Sequence, residues 1–314
     1  MLRDLRKAHA DFDPIAMADH VVCRLRAMRN ALLCLLLLGC GTDGAGDDPN
    51  VIDMVSKRYT LQPGEEKYFC YTMRLPADRD VAIKKITPTY GLGTHHILFA
   101  QTIATEPDGF SECTVLFKQT WLPLYTGGLD SGPVEMPENV GFSPLERGQQ
   151  VIMQLHLQNA TDEVIEDVTS LRVDIIDKTP DMVEAGIYGM DNRLIDIPPN
   201  TDAKTIEMNC APDHALDVFA VLGHMHKRGK KLDVSRGATA GADMLFEETW
   251  NFEEQPLTPL TMRVNAGDKL HLRCTHANNT SAQVGYGESS DDEMCSFVFY
   301  YAPAAFQLDG CINQ

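Results

Sequence analysis

Two histidines at alternate positions of an apolar run are the first residues whose spacing suggests chemistry. They are His224 and His226, in the segment VLGHMHKRGK. Successive side chains of a β-strand point to opposite faces, so the two imidazoles are predicted to project together, with Met225 turned away. Two imidazoles placed in this way can bind one metal ion. The same pattern also occurs as two polar residues at a strand end, so the pair alone is weak evidence for a metal site.

Three more histidines lie in the first half of the chain. His95 and His96 are adjacent in GTHHILFA, and His156 lies in the strand-like segment VIMQLHLQ. Adjacent residues of a regular strand point apart, so joint binding by the pair requires a β-bulge or a strand end. Gly91 and Gly93, directly upstream, make such an irregularity possible. These three histidines are candidate ligands of a second metal ion.

A methionine beside a cysteine, Met294 and Cys295 in SSDDEMCSFVFYY, completes the candidate ligands. Methionine most often fills gaps in a protein core, which is the simplest interpretation of this residue alone. A thioether ligand, however, selects Cu(I), whereas imidazole suits copper, zinc and iron. The sequence therefore predicts two copper sites of unequal softness. We name them the three-histidine site (His95, His96 and His156) and the methionine site (His224, His226 and Met294).

The elements that must position these residues are short β-strands. Runs such as HHILFAQT, QQVIMQLHLQ, TSLRVDIID and CSFVFYYA have strand-like patterns, and residues typical of turns separate them. No stretch keeps a helical period for three turns. The sequence thus predicts an all-β chain of two tandem β-sandwich domains. The Pro-containing turn in DKTPDMVEAG places the boundary near Glu184, with domains at 55–183 and 184–314.

Residues 1–40 are predicted to be an export signal. Three arginines precede the apolar run 31–38, which is too short to span a bilayer but suits a signal-peptide core. The run ends in Leu-Leu-Gly-Cys, which resembles the bacterial lipobox, so Cys40 is the predicted lipidated residue. An apolar helix end with an incidental cysteine is the alternative. Residues 41–54 are predicted to be a flexible tether. We expect an exported protein of the bacterial cell envelope, attached to the membrane only through a lipid anchor.

Charge and cysteine usage restrict the partners and the compartment. The formal net charge is −18 and no run is rich in Lys or Arg, which argues against nucleic acid as a partner. An even number of cysteines follows Cys40, and in an exported chain this indicates disulfides. These cysteines are Cys70, Cys113, Cys210, Cys274, Cys295 and Cys311. Their spacing alone leaves the pairing open.

The order of these motifs resembles the copper type II, ascorbate-dependent monooxygenases, the family of peptidylglycine-hydroxylating and dopamine-hydroxylating enzymes. The similar features are HH, a histidine within a strand, HxH and Met-Cys, with the cysteines interleaved, over roughly residues 55–312. The resemblance implies two jelly-roll-like domains that each hold one copper ion. It also implies O2 and a small organic substrate as partners, with ascorbate or another one-electron donor as the reductant.

The same resemblance assigns roles to individual residues. The three-histidine site would transfer electrons. The methionine site would be where oxygen and substrate meet, which makes its ligands His224, His226 and Met294 the predicted catalytic residues. The bridge nearest Met294 would hold it in place. The implied disulfides are Cys70–Cys113, Cys210–Cys311 and Cys274–Cys295.

Two positions depart from the peptide-amidating members of the family. Those members resemble one another in an arginine before HxH and a tyrosine after Met-Cys, where this chain has Leu222 and Val298. We expect a more apolar pocket, which would suit an uncharged or aromatic substrate. The alternative function is an exported copper-binding or storage lipoprotein, or an envelope adhesion protein, without catalysis. Two complete and unlike ligand sets favour the enzyme.

Overall fold

The computed structural model describes residues 48–75, 78–113, 118, 120–129, 131–241 and 243–313. The predicted export segment, with Cys40, lies outside these residues. The described part contains 23 β-strands and no helix, so the predicted all-β class is confirmed. Accordingly, none of its elements is a helix that is long and apolar enough to cross a membrane.

Several strands before the predicted boundary alternate or are almost wholly buried, as their sequence patterns predict. Ser170–Asp177, for example, buries Leu171, Val173 and Ile175 at every second position. The strands are β1 Val51–Val55, β2 Tyr59–Leu61, β3 Glu66–Arg74, β4 Val81–Thr89, β5 Thr94–Thr102, β6 Gly109–Glu112, β7 Trp121–Gly128, β8 Val134–Glu135, β9 Val140–Leu145, β10 Gln150–Gln158, β11 Ile165–Asp167 and β12 Ser170–Asp177.

Several strands of the second half also show alternating or continuous burial. In Leu216–His224 the last apolar residues are continuously buried, because this strand lies inside a sheet that is covered on both faces. The strands are β13 Val183–Asn192, β14 Asp196–Ile197, β15 Thr201–Cys210, β16 Leu216–His224, β17 Gly229–Arg236, β18 Met244–Thr249, β19 Thr258–Val264, β20 Leu270–Asn278, β21 Val284–Gly285, β22 Ser296–Tyr301 and β23 Leu308–Asn313.

Three larger sheets organise the molecule. A five-stranded antiparallel sheet has the order β6-β3-β10-β5-β7, and a four-stranded sheet has the order β15-β20-β17-β18. The third sheet runs through both halves in the order β1-β12-β4-β9-β13-β22-β16-β19, with β8 and β23 beside it. Its junction is the parallel pairing of β9 with β13, where Val140 lies opposite Val183. The two halves therefore share one continuous sheet.

Two apolar clusters fill the spaces between the sheets. The first contains residues of the five-stranded sheet such as Phe99 and Leu155, and the second packs β15, β17 and β20 against β16 and β22. Ala220, Leu222 and Tyr300 come from the second half, yet they belong to the first cluster. Full burial of a side chain such as that of Leu222 contributes about 1.5–3 kcal/mol, so these residues fix β16 and β22 against the first half.

The first strand begins earlier than the sequence predicts. β1 starts at Val51, inside the segment 41–54 that its Gly and Asp content marks as a tether, and Ile52 and Met54 are buried. The strand pairs with β12, where Val51 lies opposite Asp174. Apolar residues at alternate positions after Pro49 give this segment one side that packs into the first apolar cluster. The segment therefore pairs with the sheet as a strand.

All three disulfides implied by the family resemblance are present. Cys70 bonds Cys113, Cys210 bonds Cys311, and Cys274 bonds Cys295. The first links β3 to the segment after β6. The second and third tie β15 to β23 and β20 to the residue before β22. The pairing is thus confirmed, and Met294 is adjacent to a cross-linked residue.

Candidate metal centre

A β-bulge places His95 and His96 on the same side of the five-stranded sheet. β10 pairs with β5 in regular register up to His156 opposite His96, after which Leu157 lies opposite Thr94, so His95 is the extra residue. Gly93, directly before the strand, has a φ of 79°, a conformation that glycine adopts without strain. The sequence expectation of an irregularity at this pair is therefore correct.

The three imidazoles of the three-histidine site converge through their Nδ1 atoms. Nδ1 of His96 lies 3.0 Å from Nδ1 of His156 and 3.5 Å from Nδ1 of His95. All three side chains are buried, and one ligand nitrogen from each can lie within 4.8 Å of the other two. Three ring nitrogens that converge in this way suit a bound cation.

Hydrogen bonds at the opposite ring nitrogens explain this choice of atom. Nε2 of His95 donates to the carbonyl oxygen of Phe252 at 2.9 Å, and Nε2 of His156 donates to the Glu66 carboxylate at 2.6 Å. A neutral imidazole has one donor and one acceptor nitrogen, so both Nδ1 atoms retain a lone pair. The tautomers of His95 and His156 are thus set for metal binding through Nδ1.

Burial keeps the rings of His95 and His96 neutral. Loss of hydration lowers the pKa of His95 to about 3, with a further contribution from His156, and it also lowers the pKa of His96. The hydrogen bond from His156 lowers the pKa of Glu66 to about 2, so this carboxylate is charged. Neutral imidazoles beside a charged acceptor are the form that binds copper or zinc.

Glu66 and Tyr68 hold His156 from the side of β3. The Tyr68 ring stacks on the His156 ring at a centroid distance of 4.4 Å and an interplanar angle of 11°. Oε2 of Glu66 accepts a hydrogen bond from the hydroxyl of Ser290, a buried residue of the second half, at 3.2 Å. The first ligand set is therefore supported by both halves of the chain.

The HxH pair lies at the end of β16 and in the turn that follows it. His224 is the last residue of the strand, and His226 lies outside it. Met225 is fully buried in the second apolar cluster, so the two histidines remain on the opposite side, with ring centroids 5.2 Å apart. The prediction of a common direction is correct, whereas the prediction that both histidines belong to one strand is wrong.

At the methionine site the histidines offer Nε2 as the free ring nitrogen, whereas those of the three-histidine site offer Nδ1. Nδ1 of His224 lies 2.7 Å from Oε1 of Gln255, and Nδ1 of His226 lies 3.3 Å from the carbonyl oxygen of Asp292. Both oxygens accept, so both Nδ1 atoms donate and each Nε2 keeps its lone pair. Burial lowers the pKa of His226 to about 2 and also lowers the pKa of His224, so these rings too are neutral.

A buried carboxylate connects the HxH turn to Met294. Glu293 is fully buried, and its Oε2 accepts hydrogen bonds from the backbone N–H of His226 at 3.0 Å and of Met294 at 3.3 Å. Its Oε1 accepts the backbone N–H of Arg228. One side chain thus fixes the backbone at both segments of the methionine site. Direct binding of a metal by the Met294 sulfur remains a prediction.

Imidazoles of the two sites are near neighbours. The ring centroids of His96 and His224 are 5.8 Å apart. β16 brings this about, because Ala220 and Leu222 on the same face of the strand pack into the first apolar cluster. The face of β16 that carries His224 is consequently directed towards the three-histidine site.

Three residues that support the sites have no clear signal in the sequence. Glu66 and Gln255 are single polar residues, and contacts between segments that are distant in sequence bring them to the histidines. Glu293 directly precedes Met294 in DDEMC, and that adjacency is the one available signal. His276 lies fully buried with its Nε2 3.4 Å from Glu293.

The two remaining histidines of the described region lie elsewhere. His214 contacts Asp213 and Tyr301, and His271 contacts Asn209. They belong to neither ligand set.

Leu222 and Val298 are packing residues in this structure. Leu222 is 3% exposed within the first apolar cluster, and Val298, its partner in the β16–β22 pairing, packs against the same cluster. Both side chains therefore pack with the first apolar cluster. Their part in a substrate pocket remains a prediction.

Comparison with known proteins gives a consistent result. Residues 183–314 match the family described as copper type II ascorbate-dependent monooxygenase, C-terminal domain. The peptidylglycine alpha-amidating monooxygenase of Rattus norvegicus is 25% identical over 257 residues, which are 77% of this chain and 26% of that protein. The tyramine beta-hydroxylase of Caenorhabditis briggsae is 26% identical over 275 residues, which are 77% of this chain and 46% of that protein.

A third relative extends the similarity further. The putative DBH-like monooxygenase protein 2 of Homo sapiens is 25% identical over 292 residues, which cover 81% of this chain and 57% of that protein. The chain thus spans from about a quarter to somewhat over half of the length of these relatives. The matched region includes the HxH motif and the Met-Cys pair in residues 183–314. The match over residues 183–314 and the similarity to these relatives support the copper type II, ascorbate-dependent monooxygenase family for this chain.

Proposed function

We propose that this protein is a copper-dependent monooxygenase that hydroxylates a C–H bond of a small organic substrate. It uses O2 and a one-electron donor such as ascorbate. The observation that supports this most strongly is the pair of adjacent imidazole sets with opposite free nitrogens, Nδ1 at the three-histidine site and Nε2 at the methionine site. A single storage site would not require two unlike sets placed side by side.

The stoichiometry of hydroxylation matches two one-electron centres. Insertion of one oxygen atom into a C–H bond and reduction of the other to water consumes O2, two electrons and two protons. Copper bound at both sites would supply one electron from each, with a thioether at the methionine site favouring Cu(I). Ascorbate or an equivalent donor would restore both electrons.

The residues of the chain have separable roles in this proposal. The three-histidine site would bind its copper ion through the Nδ1 atoms of His95, His96 and His156. These side chains are buried, so the site excludes water. His224 and His226 offer Nε2, and Met294 offers a thioether, so three ligands leave coordination positions for O2. Glu293 holds the backbone of both segments of this second set.

The substrate is proposed to be small and uncharged, or aromatic. The support is the apolar pair Leu222 and Val298, which face one another on β16 and β22. The relatives are named for peptidylglycine and tyramine. An acyl-glycine, a phenethylamine and a neutral aromatic compound therefore form an informative substrate panel.

The protein is further proposed to act outside the cytoplasm. The support is the sequence of residues 24–40, with arginines, an apolar run and Cys40, together with three disulfides. If Cys40 is lipidated, the wild-type protein will partition into detergent with the envelope fraction, and Cys40→Ser will release it or leave it unprocessed. A freely soluble wild-type protein would contradict the anchor without affecting the assignment of the copper sites.

The enzyme and the storage protein are distinguished by copper content and oxygen uptake. We expect two coppers per chain and ascorbate-driven oxygen uptake that depends on one member of the substrate panel. His156→Ala should leave one copper and stop uptake. The matched control is His271→Ala, another buried histidine of a β-strand, which should keep both coppers. Two bound coppers without substrate-dependent uptake across the panel would favour storage, and preference for zinc at both sites would contradict both copper functions.

A further inference from the structure

Gln255 lies between the two ligand sets, on a segment of the second half that crosses onto the first. The segment follows β18, and its backbone pairs with the end of β7: the N–H of Gly128 donates to the Gln255 carbonyl at 3.0 Å, and the N–H of Gln255 donates to the Leu129 carbonyl at 3.3 Å. The hydroxyl of Ser131 donates to the same Gln255 carbonyl at 3.0 Å. The Gln255 side chain is 2% exposed.

The amide of Gln255 completes a hydrogen-bonded path from one site to the other. Its Oε1 accepts from Nδ1 of His224 at 2.7 Å, and its Nε2 donates to the carbonyl oxygen of Phe252 at 3.1 Å. The same carbonyl accepts from Nε2 of His95 at 2.9 Å. One ligand of the methionine site and one of the three-histidine site are thus joined through a single amide and a single carbonyl.

We infer that Gln255 is a positioning residue that fixes the His224 imidazole, and with it the methionine site, at a set place relative to the three-histidine site. Groups that hydrogen-bond the outer nitrogen of a ligating histidine set its tautomer and orientation, and their loss typically weakens metal binding about 10–100-fold. Here the outer group is Gln255, which also donates a hydrogen bond to the Phe252 carbonyl. That carbonyl accepts from His95 of the three-histidine site. The inference rests on the proposed function, because it concerns copper bound at both sites.

Glutamine fits this position because both ends of its amide are used. A glutamate would keep an acceptor for His224 but would place a second oxygen against the Phe252 carbonyl oxygen, so the donation from residue 255 to that carbonyl would be lost. A methionine would fill the space and lose both bonds. The close approach also requires Gly128, because a Cβ there would lie 2.6 Å from Cβ of Gln255 and 3.2 Å from the His95 carbonyl oxygen.

The test measures two quantities on the full chain. The first is the copper affinity of each site, and the second is the separation of the two Cu(II) ions, measured by pulsed electron paramagnetic resonance. Wild-type protein that binds two coppers is the precondition, and fewer would overturn the proposed function and the inference together. Gln255→Met should weaken copper at the methionine site about 10–100-fold and broaden the distribution of separations. The three-histidine site should keep its affinity within about threefold. Gln283→Met, at an exposed amide that bonds Asp196, is the matched control and should resemble wild type.

Two further variants distinguish the contribution of the amide oxygen of Gln255 from that of the amide nitrogen. They also keep the test valid if Gln255→Met does not fold. Gln255→Glu should retain copper affinity at the methionine site, because the acceptor for His224 remains, and should still broaden the separation. Gly128→Ala should broaden it with every ligand and Gln255 intact, because the segment must move away. Unchanged affinity and an unchanged separation in the Gln255 variants, with wild type binding two coppers, would overturn the inference and leave the proposed function standing.

Discussion

The two ligand sets are built in different ways. The three-histidine site lies within a sheet, where His96 and His156 are direct partners on neighbouring strands and a bulge adds His95. The methionine site lies at the end of a strand and in two turns, and its backbone is fixed by the buried side chain of Glu293. Strand pairing determines the geometry of the first, whereas a few side-chain hydrogen bonds determine that of the second. The second site therefore depends more on single residues outside its ligand set.

The largest expected effect is at Glu293. Glu293→Ala removes the acceptor of three backbone N–H groups and leaves the buried His276 without this partner. A buried donor that is left without its acceptor typically costs about 1–3 kcal/mol, so the loss of several such bonds should lower the free energy of unfolding by about 3 kcal/mol. Copper at the methionine site should be lost at a copper concentration that still fills the three-histidine site. Denaturant unfolding and copper titration measure the two effects.

The control for this prediction is Glu247→Ala, which removes an exposed glutamate of β18 that pairs with Lys231. Its effect on stability should stay within about 0.5 kcal/mol. If Glu293→Ala were as mild as the control, or if both sites lost copper equally, the proposed difference between the sites would be wrong.

Glu66 should have a smaller effect, confined to the other site. Glu66→Gln keeps an acceptor for Nε2 of His156 but removes the negative charge that strengthens this bond. We expect copper affinity at the three-histidine site to fall by about 10-fold, at the lower end of what such outer partners contribute, with the methionine site unaffected. Glu65→Gln, at the half-buried neighbouring residue, should leave both affinities unchanged. Separate titration of the two sites tests this, and a loss at the methionine site would argue against independent support of the two sets.

Sequence patterns predicted the strands, the irregularity at His95 and the direction of the HxH pair, because each depends on local alternation or local glycine content. The pairing of the cysteines came from the family resemblance, which their spacing alone does not provide. Glu66, Gln255 and Glu293 could not be assigned roles, because the register of distant strands brings them to the histidines. The early start of β1 was missed for the same reason, since its partner β12 is more than 100 residues away in sequence.

The smallest effect concerns a carboxylate near the methionine site. Glu248 of β18 lies over Gly223, and burial raises its pKa to about 7, whereas the hydrogen bond from His156 lowers that of Glu66. A raised carboxyl pKa means that the folded state holds a proton that the unfolded state has released. Stability therefore falls as pH rises from about 4.3 towards 7.

Glu248→Gln should accordingly make the protein more stable than wild type at pH 8, with the difference shrinking at pH 4. Glu247→Gln, its exposed neighbour, is the control and should change neither value. Thermal unfolding at the two pH values measures this. A Glu248→Gln variant that is less stable than wild type at pH 8 would show that the charged carboxylate is well accommodated in the fold.

X-ray absorption at the copper edge of the fully reduced protein tests the central claim most directly, because it detects a sulfur ligand. We predict a copper–sulfur contribution in wild type and in His156→Ala, and its loss in Met294→Leu. The leucine variant should remain folded, because volume-conserving apolar changes usually cost less than about 1.5 kcal/mol, and its three-histidine site should keep copper. A sulfur contribution that persists in Met294→Leu, or one that is absent from the wild-type protein, would contradict the assignment of two unlike copper sites.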